Sequence, residues 1–250
     1  MEIDKSKVAV ILAGGLGSRL GNLTKKIPKP LIKIGNKPVI LHILEIYLKF
    51  GINNFILAIG YKGDEIVKYF TNKNIYFKKK LIIKKKINNK NCQITLVKTG
   101  INTMTGGRIK RLKNEITSEN FFLTYGDGVS NVNLKKLEYF HHKHGKLVTV
   151  TAVHPIPRFG EMDIKKNLVT RFSEKKRSNK IWINGGFFIF NKKFLKYIKN
   201  DTTILEREPL EKAAKGKQMF AFKHRGFWQC MDTKRDRDLL SNLLKKTKPW

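Results

Sequence analysis

Three glycines, an arginine and a lysine near the amino end of the chain have the types and spacing of an anion site. Gly14, Gly15 and Gly17 follow Val8 to Ala13, six apolar residues without a polar break, the pattern of a buried strand that runs into a tight loop. With no side chains in the way, successive N–H groups of such a loop can point at a phosphate. Arg19 and Lys29 bring positive charge to the same mouth, and Pro28 and Pro30 bias the backbone around Lys29 towards extended angles. The same glycines also suit a strand-to-helix turn with no ligand. The dinucleotide pattern G-x-G-x-x-G fails at Leu20, and no Gly-Lys-Ser or Gly-Lys-Thr follows for a Walker A loop.

Asp127 lies between Gly126 and Gly128, directly after the apolar run Phe121 to Tyr125. It is either a carboxylate at a strand end, open to a ligand, or part of an Asp-Gly turn. Asp232-Thr233, ahead of the helical stretch from Lys234 to Leu244, reads on its own as a helix cap. Thr103, before Gly106, Gly107 and Arg108, is an ordinary helix entry, and Asn184-Gly185 an ordinary turn. His141, His142 and His144 read as surface residues, because His142 and His144 lack the i, i+4 spacing of a helical metal site.

Elements that would position these residues follow from periodicity. Lys37 to Phe50 carries apolar residues at helical spacing and stops at Gly51. Phe55 to Ile59 reads as a strand, Gly63 to Phe70 as a helix, Asn133 to Gly145 as a helix capped by Asn133, and Leu147 to Val153 as a strand. Strand, helix, strand, helix at this spacing predicts parallel pairing with helices on the faces, and ligands of such sheets lie at the carboxyl ends of strands. Tyr76 to Lys98 breaks the rhythm: two apolar runs around an Asn-rich turn suggest a hairpin-like insertion within a single domain spanning residues 1–250.

Taken in order, these stretches resemble the sugar-phosphate nucleotidylyltransferases, and within them the glucose-1-phosphate cytidylyltransferase branch. The carriers are Gly14-Gly15-Leu16-Gly17-Ser18-Arg19-Leu20, Pro28-Lys29-Pro30-Leu31, Thr103-Met104-Thr105-Gly106-Gly107-Arg108, Tyr125-Gly126-Asp127-Gly128-Val129, Pro157-Arg158-Phe159-Gly160, Glu174-Lys175, Ile183-Asn184-Gly185-Gly186-Phe187-Phe188 and Gly226 to Thr233. Ser18 stands for the usual threonine, Lys176 for a proline, and Cys230 for another. The resemblance implies an α/β, Rossmann-like nucleotidyltransferase fold: a mixed, mostly parallel sheet with helices on both faces and a smaller sugar-side extension. It implies nucleotide contact from Leu12, Ala13, Gly14, Gly15, Leu16, Gly17, Ser18, Arg19, Lys29, Thr103, Arg108 and Asp127. Arg19, Lys29 and Asp127 would be catalytic, Asp127 and Asp232 would hold magnesium (Mg2+), and Lys175 and Asn184 would face the sugar phosphate. The implied reaction joins CTP and glucose 1-phosphate into CDP-glucose and pyrophosphate, in a homo-oligomer.

With 250 residues and 41% hydrophobic content, the chain is long enough for a substantial core. The net charge of +33 has the bulk signature of a polyanion binder. Its lysines are scattered over every segment, though, which predicts solvated faces and no specific nucleic-acid partner. A degenerate scaffold that binds polyanions, or transfer of another nucleotide to another sugar phosphate, are the alternatives. Two cysteines exclude a disulfide framework. The short apolar run at the amino end suits neither a signal peptide nor a membrane span, so a cytoplasmic location with no membrane partner is expected.

Overall fold

The computed structural model describes residues 2–155, 159–174 and 181–250. The first half of the chain comprises β1 (Val8–Ala13), α1 (Asn22–Lys26), β2 (Lys33–Ile34), β3 (Lys37–Pro38), α2 (Val39–Lys49), β4 (Asn54–Ile59), α3 (Gly63–Thr71), β5 (Lys80–Ile87), β6 (Lys90–Lys98), α4 (Thr105–Arg111) and β7 (Asn120–Tyr125). The second half comprises β8 (Gly128–Ser130), α5 (Leu134–His144), β9 (Val148–Val153), β10 (Glu161–Lys165), β11 (Leu168–Ser173), β12 (Ile183–Asn191), α6 (Glu208–Lys215), β13 (Met219–Lys223), β14 (Trp228–Cys230) and α7 (Lys234–Lys246).

Eight strands form one sheet in the order β13-β9-β12-β7-β1-β4-β6-β5. Its middle is parallel, with β1 paired to both β4 and β7, while β12 runs against β7 and β9 and β5 runs against β6. This is the α/β arrangement that the strand-helix alternation predicts. Strand β1 explains why its sequence has no polar break. Ala9, Ile11 and Ala13 face one layer with Ile40, Ile43 and Ile66 of α2 and α3. Val8, Val10 and Leu12 face the other, with Ile109 of α4 and Leu210 and Ala213 of α6. A strand covered on both faces needs apolar residues at every position.

The hairpin between Tyr76 and Lys98 is β5 and β6, turning at Asn88 and Asn89, both left-handed. Strand β6 also pairs in parallel with β4, so the hairpin extends the central sheet. A separate antiparallel pair, β10 and β11, stands outside the sheet. Among the described residues no helix is long and apolar enough to cross a membrane.

Two local expectations are corrected. Pro28 is extended, at φ −62° and ψ 144°, but Lys29–Leu31 closes a 3-10 turn through hydrogen bonds from Leu31 to Pro28 and from Ile32 to Lys29. His141 is buried, at 2% exposure, with Nδ1 on the Thr149 hydroxyl and Nε2 on the Asn120 side chain. It shares the inward stripe of α5 with Leu134 and Leu137, a placement that the histidine count around it conceals. Asn133 caps α5 by accepting the Lys136 N–H, as its position predicts.

Candidate active site

At the carboxyl ends of β1 and β7, and at the amino end of the antiparallel β12, the sheet opens into a cleft of about 1400 Å³. Its floor is the loop after β1. Gly17 is left-handed at φ 65°, which glycine adopts without steric cost. A Cβ on Gly14 would collide with the Arg108 guanidinium and would lie 2.8 Å from the Gly60 nitrogen, so only glycine fits there. The N–H groups of Gly15, Leu16 and Gly17 donate to no backbone carbonyl among the described residues, which leaves them for an anion.

Beside the loop, against Gly17, Lys29 Nζ donates to Asp127 Oδ2 at 2.5 Å and to Asp232 Oδ1 at 2.7 Å. Arg19 Nη1 donates to the second oxygen of Asp232 at 2.5 Å. The Lys29, Asp127 and Asp232 side chains are 13%, 22% and 14% exposed, whereas Arg19 is 73% exposed and can swing. Burial opposes the charge on Lys29, but the two carboxylates, Asp127 foremost, more than offset it and hold its pKa above the ordinary lysine value. The aspartates, 105 positions apart in sequence, are brought together by the backbone. Strand β14 pairs with β8, and the Met231 N–H donates to the Asp127 carbonyl at 2.9 Å. Thr233 caps α7 in a reciprocal box with Asp236, so the capping role falls to Thr233 and leaves the Asp232 carboxylate in the cleft. Cys230, in the place of a proline, is held by the β8 pairing; burial and then the two aspartates push its thiol up to about 12, keeping it protonated.

Arg108 supports the loop from behind. Its terminal nitrogens donate to the Thr99 hydroxyl at 2.7 Å and to the carbonyls of Gly100, Gly14 and Ile101 at 2.7, 2.9 and 3.2 Å. Of its five donors only Nε–H is left for anything else. Thr103 is buried beside it.

The sequence-predicted site residues among those described meet in this one cleft: Leu12, Ala13, Gly14 to Arg19, Lys29, Thr103, Arg108, Asp127, Asn184 and Asp232 all line it. Lys175 lies outside the described residues, as do Pro157 and Arg158. Asn184 turns its Oδ1 back to accept the Gly186 N–H at 2.8 Å and offers its amide nitrogen towards Tyr125. Tyr125, Glu206 and Trp228 are among the lining residues that the sequence did not single out for the site. Tyr125 and Trp228 stood inside quoted motifs, but Glu206 has no local signal beyond an acidic residue ahead of α6.

Comparison with known proteins gives the family and the fold. The model of the nucleotidyl transferase family matches residues 8–235. The chain belongs to the nucleotidyl transferase family. It is 43% identical to glucose-1-phosphate cytidylyltransferase of Salmonella typhimurium, over 97% of this chain and 98% of that protein. It is 32% identical to the catalytic subunit beta of mannose-1-phosphate guanylyltransferase of Xenopus tropicalis, over 94% of this chain and 63% of the longer protein. Among solved structures it is similar to HddC of Yersinia pseudotuberculosis in complex with GMP-PN, with TM-score 0.71, 24% identity, and coverage of 95% and 99% of the two chains. A UDP-glucose pyrophosphorylase complexed with UDP-glucose matches with TM-score 0.71 at 18% identity, over 96% and 98% of the chains. These two likenesses bear on the fold alone.

Proposed function

We propose that this chain transfers a cytidylyl group from CTP to α-D-glucose 1-phosphate, giving CDP-glucose and pyrophosphate. The observation that carries the reading is the convergence of Lys29, Asp127 and Asp232 on one point facing an amide-lined glycine loop. A phosphate oxygen of the sugar phosphate attacks the α-phosphorus of the nucleotide. The new P–O bond forms as the bond to the β-phosphate bridging oxygen breaks, and the pair of electrons leaves with pyrophosphate. The attacking phosphate is already ionised at neutral pH, so the site needs no general base, and alignment and charge neutralisation do the work.

The chain's groups divide accordingly. Free N–H groups of Gly15, Leu16 and Gly17, with the mobile Arg19, hold the triphosphate. Lys29, kept protonated, neutralises phosphate charge at the reacting centre. Thr103 and Arg108 shape the nucleotide side. Asn184, and Lys175 beyond the described residues, serve the sugar phosphate.

The aspartate pair suits a divalent cation such as magnesium, because two carboxylate oxygens already converge on a single ammonium, and hard oxygen donors are what that ion takes. Asp127 and Asp232 would hold it, and when bound it would draw the phosphates together and neutralise part of their charge. A homo-oligomer in the cytoplasm completes the reading, and light scattering on the purified chain tests the assembly.

Pyrophosphate release with glucose 1-phosphate, compared across CTP, UTP, dTTP, GTP and ATP, is the decisive experiment. Release with CTP alone, lost when the sugar phosphate is omitted, is expected. The guanylyltransferase relative at 32% identity makes GTP with mannose 1-phosphate the competing pair, and a preference for it would overturn the assignment of base and sugar. No release with any pair, together with salt-sensitive retention on nucleic acid, would favour polyanion binding by the +33 chain.

A further inference from the structure

Glu206 lines the cleft at the end of a segment built to hold it there. Residues 201–205 lie across the start of α4: the Met104 N–H donates to the Asp201 carbonyl at 2.8 Å, and those of Gly106 and Gly107 donate to the Thr203 carbonyl at 3.0 and 3.2 Å. The first amides of α4 are therefore satisfied by protein. A Cβ on Gly106 would lie 2.7 Å from the Thr203 oxygen, and one on Gly107 would lie 2.5 Å from the Asp201 oxygen. The glycine pair of the Thr-Gly-Gly-Arg motif is what lets the two backbones close.

Two side chains then fix the carboxylate. Thr105 Oγ1 accepts the Leu205 N–H at 2.9 Å and donates to Glu206 Oε2 at 2.7 Å. Tyr125 donates its phenol proton to Glu206 Oε1 at 2.5 Å, and the phenol oxygen accepts from Asn184 Nδ2 at 3.4 Å. Each carboxylate oxygen has two lone pairs and meets one protein donor, which leaves one acceptor site on each. Among the described residues neither Lys nor Arg makes an ion pair with Glu206. An unneutralised carboxylate repels phosphate and accepts from a hydroxyl.

Placement selects the ligand. Tyr125 ends β7 and Asn184 opens β12, neighbours in the sheet, whereas the glycine loop follows β1 on the other side of β7. With a triphosphate on the loop, the β7–β12 half receives the second substrate. We propose that Glu206 accepts a hydrogen bond from a ring hydroxyl of the sugar phosphate and so determines which sugar is used, with Tyr125 and Thr105 as positioning residues. The inference rests on the nucleotidylyl-transfer reading above.

The test measures kcat and KM of wild type, Glu206→Gln and Tyr125→Phe with glucose 1-phosphate and its 2-, 3-, 4- and 6-deoxy analogues. Glu206→Gln should lower kcat/KM for glucose 1-phosphate roughly 10- to 100-fold, the worth of a hydrogen bond to a charged group. The loss should sit in KM for the sugar phosphate, with KM for CTP unchanged. One deoxy analogue, already poor with wild type, should lose little more, so that its handicap relative to glucose 1-phosphate collapses; Tyr125→Phe should show the same signature at smaller size. Equal losses for every analogue would mark a merely structural residue and overturn the proposal. A raised KM for CTP, or a changed preference between CTP and UTP, would overturn it by placing Glu206 at the base. Wild type that turns over a different sugar phosphate corrects the substrate alone, and the same ratios are then read on the deoxy forms of that sugar. Wild type that turns over no pair overturns the transfer reading and this inference with it.

Discussion

Lys29, partly buried, and Arg108, fully buried, are cations of the same cleft, and their surroundings differ in kind. Lys29 faces two carboxylates. Arg108, 4% exposed, faces a hydroxyl and three carbonyls with no anion among its hydrogen-bond partners. An ammonium between two carboxylates can exchange partners with a phosphate and a cation, because each group that it releases finds another charge. A guanidinium bonded to backbone carbonyls cannot move without stranding buried acceptors. One charge belongs to the chemistry and the other to the frame.

Removing an aspartate tests the first half of that contrast most severely. Asp127→Ala should abolish turnover while the melting temperature moves by only a few degrees, since Lys29 keeps Asp232 as a partner. Pyrophosphate release and a thermal melt on the same sample would check it, and an active variant would remove Asp127 from the site. Lys29→Ala should lower kcat by about 10²- to 10³-fold, the usual cost of one preorganised charge at a developing transition state. Near-normal kinetics would contradict a role for Lys29 at the reacting centre.

Arg108 should give the opposite profile. Arg108→Met strands the carbonyls of Gly100 and Ile101 and takes one partner each from the Gly14 carbonyl, which keeps the Tyr61 N–H, and from the Thr99 hydroxyl, which still donates to the Ile59 carbonyl. At about 1–3 kcal/mol for each buried group left unsatisfied, partly relieved by entering water, a loss of about 3 kcal/mol is expected. For a domain of this size that lowers the melting temperature by roughly 6–12 °C. Arg108→Lys should not rescue it, because one ammonium cannot reach four acceptors in a fixed fork. An unchanged melt would erase the distinction between the two cations.

The two residues also mark what the sequence made legible. The glycine loop and Asp127 were visible because each follows an apolar run, β1 or β7, whose burial is written along the strand, and Lys29 because two prolines flank it beside an arginine-bearing loop. Their meeting point with Asp232 came through resemblance, since the pairing of β14 with β8 that joins them spans about a hundred residues and leaves no local periodicity. Arg108 was found as a residue, but its task was not, because its partners are backbone carbonyls, which no sequence displays. Glu206 was missed for another reason: its partners are side chains 81 and 101 positions away, and a glutamate ahead of a helix is ordinary until Tyr125 and Thr105 close on it. The short turn at Lys29 escaped because flanking prolines bias single residues, while the 3-10 hydrogen bonds join residues three apart.

A third buried basic group completes the contrast, since it can do what Arg108 cannot. His141 is 2% exposed with no carboxylate beside it. Burial, with smaller contributions from His144 and His142, pushes its pKa down to about 4, so the folded imidazole is neutral at pH 7. In the unfolded chain it titrates near its ordinary value of 6.5. Between those values the unfolded state binds more protons than the folded one. Stability from this group is therefore complete above pH 6.5 and is lost as pH falls towards 4. The melting temperature should fall across that window, and His141→Gln, which keeps a polar side chain for Thr149 and Asn120, should flatten the slope while leaving turnover at pH 7.5 unchanged. An unaltered slope would mean that His141 carries a proton in the fold. Loss of a proton is how a buried histidine avoids an unpaired charge; arginine has no such escape at any pH the protein meets, and the four oxygens gathered around Arg108 are the alternative solution to the same cost.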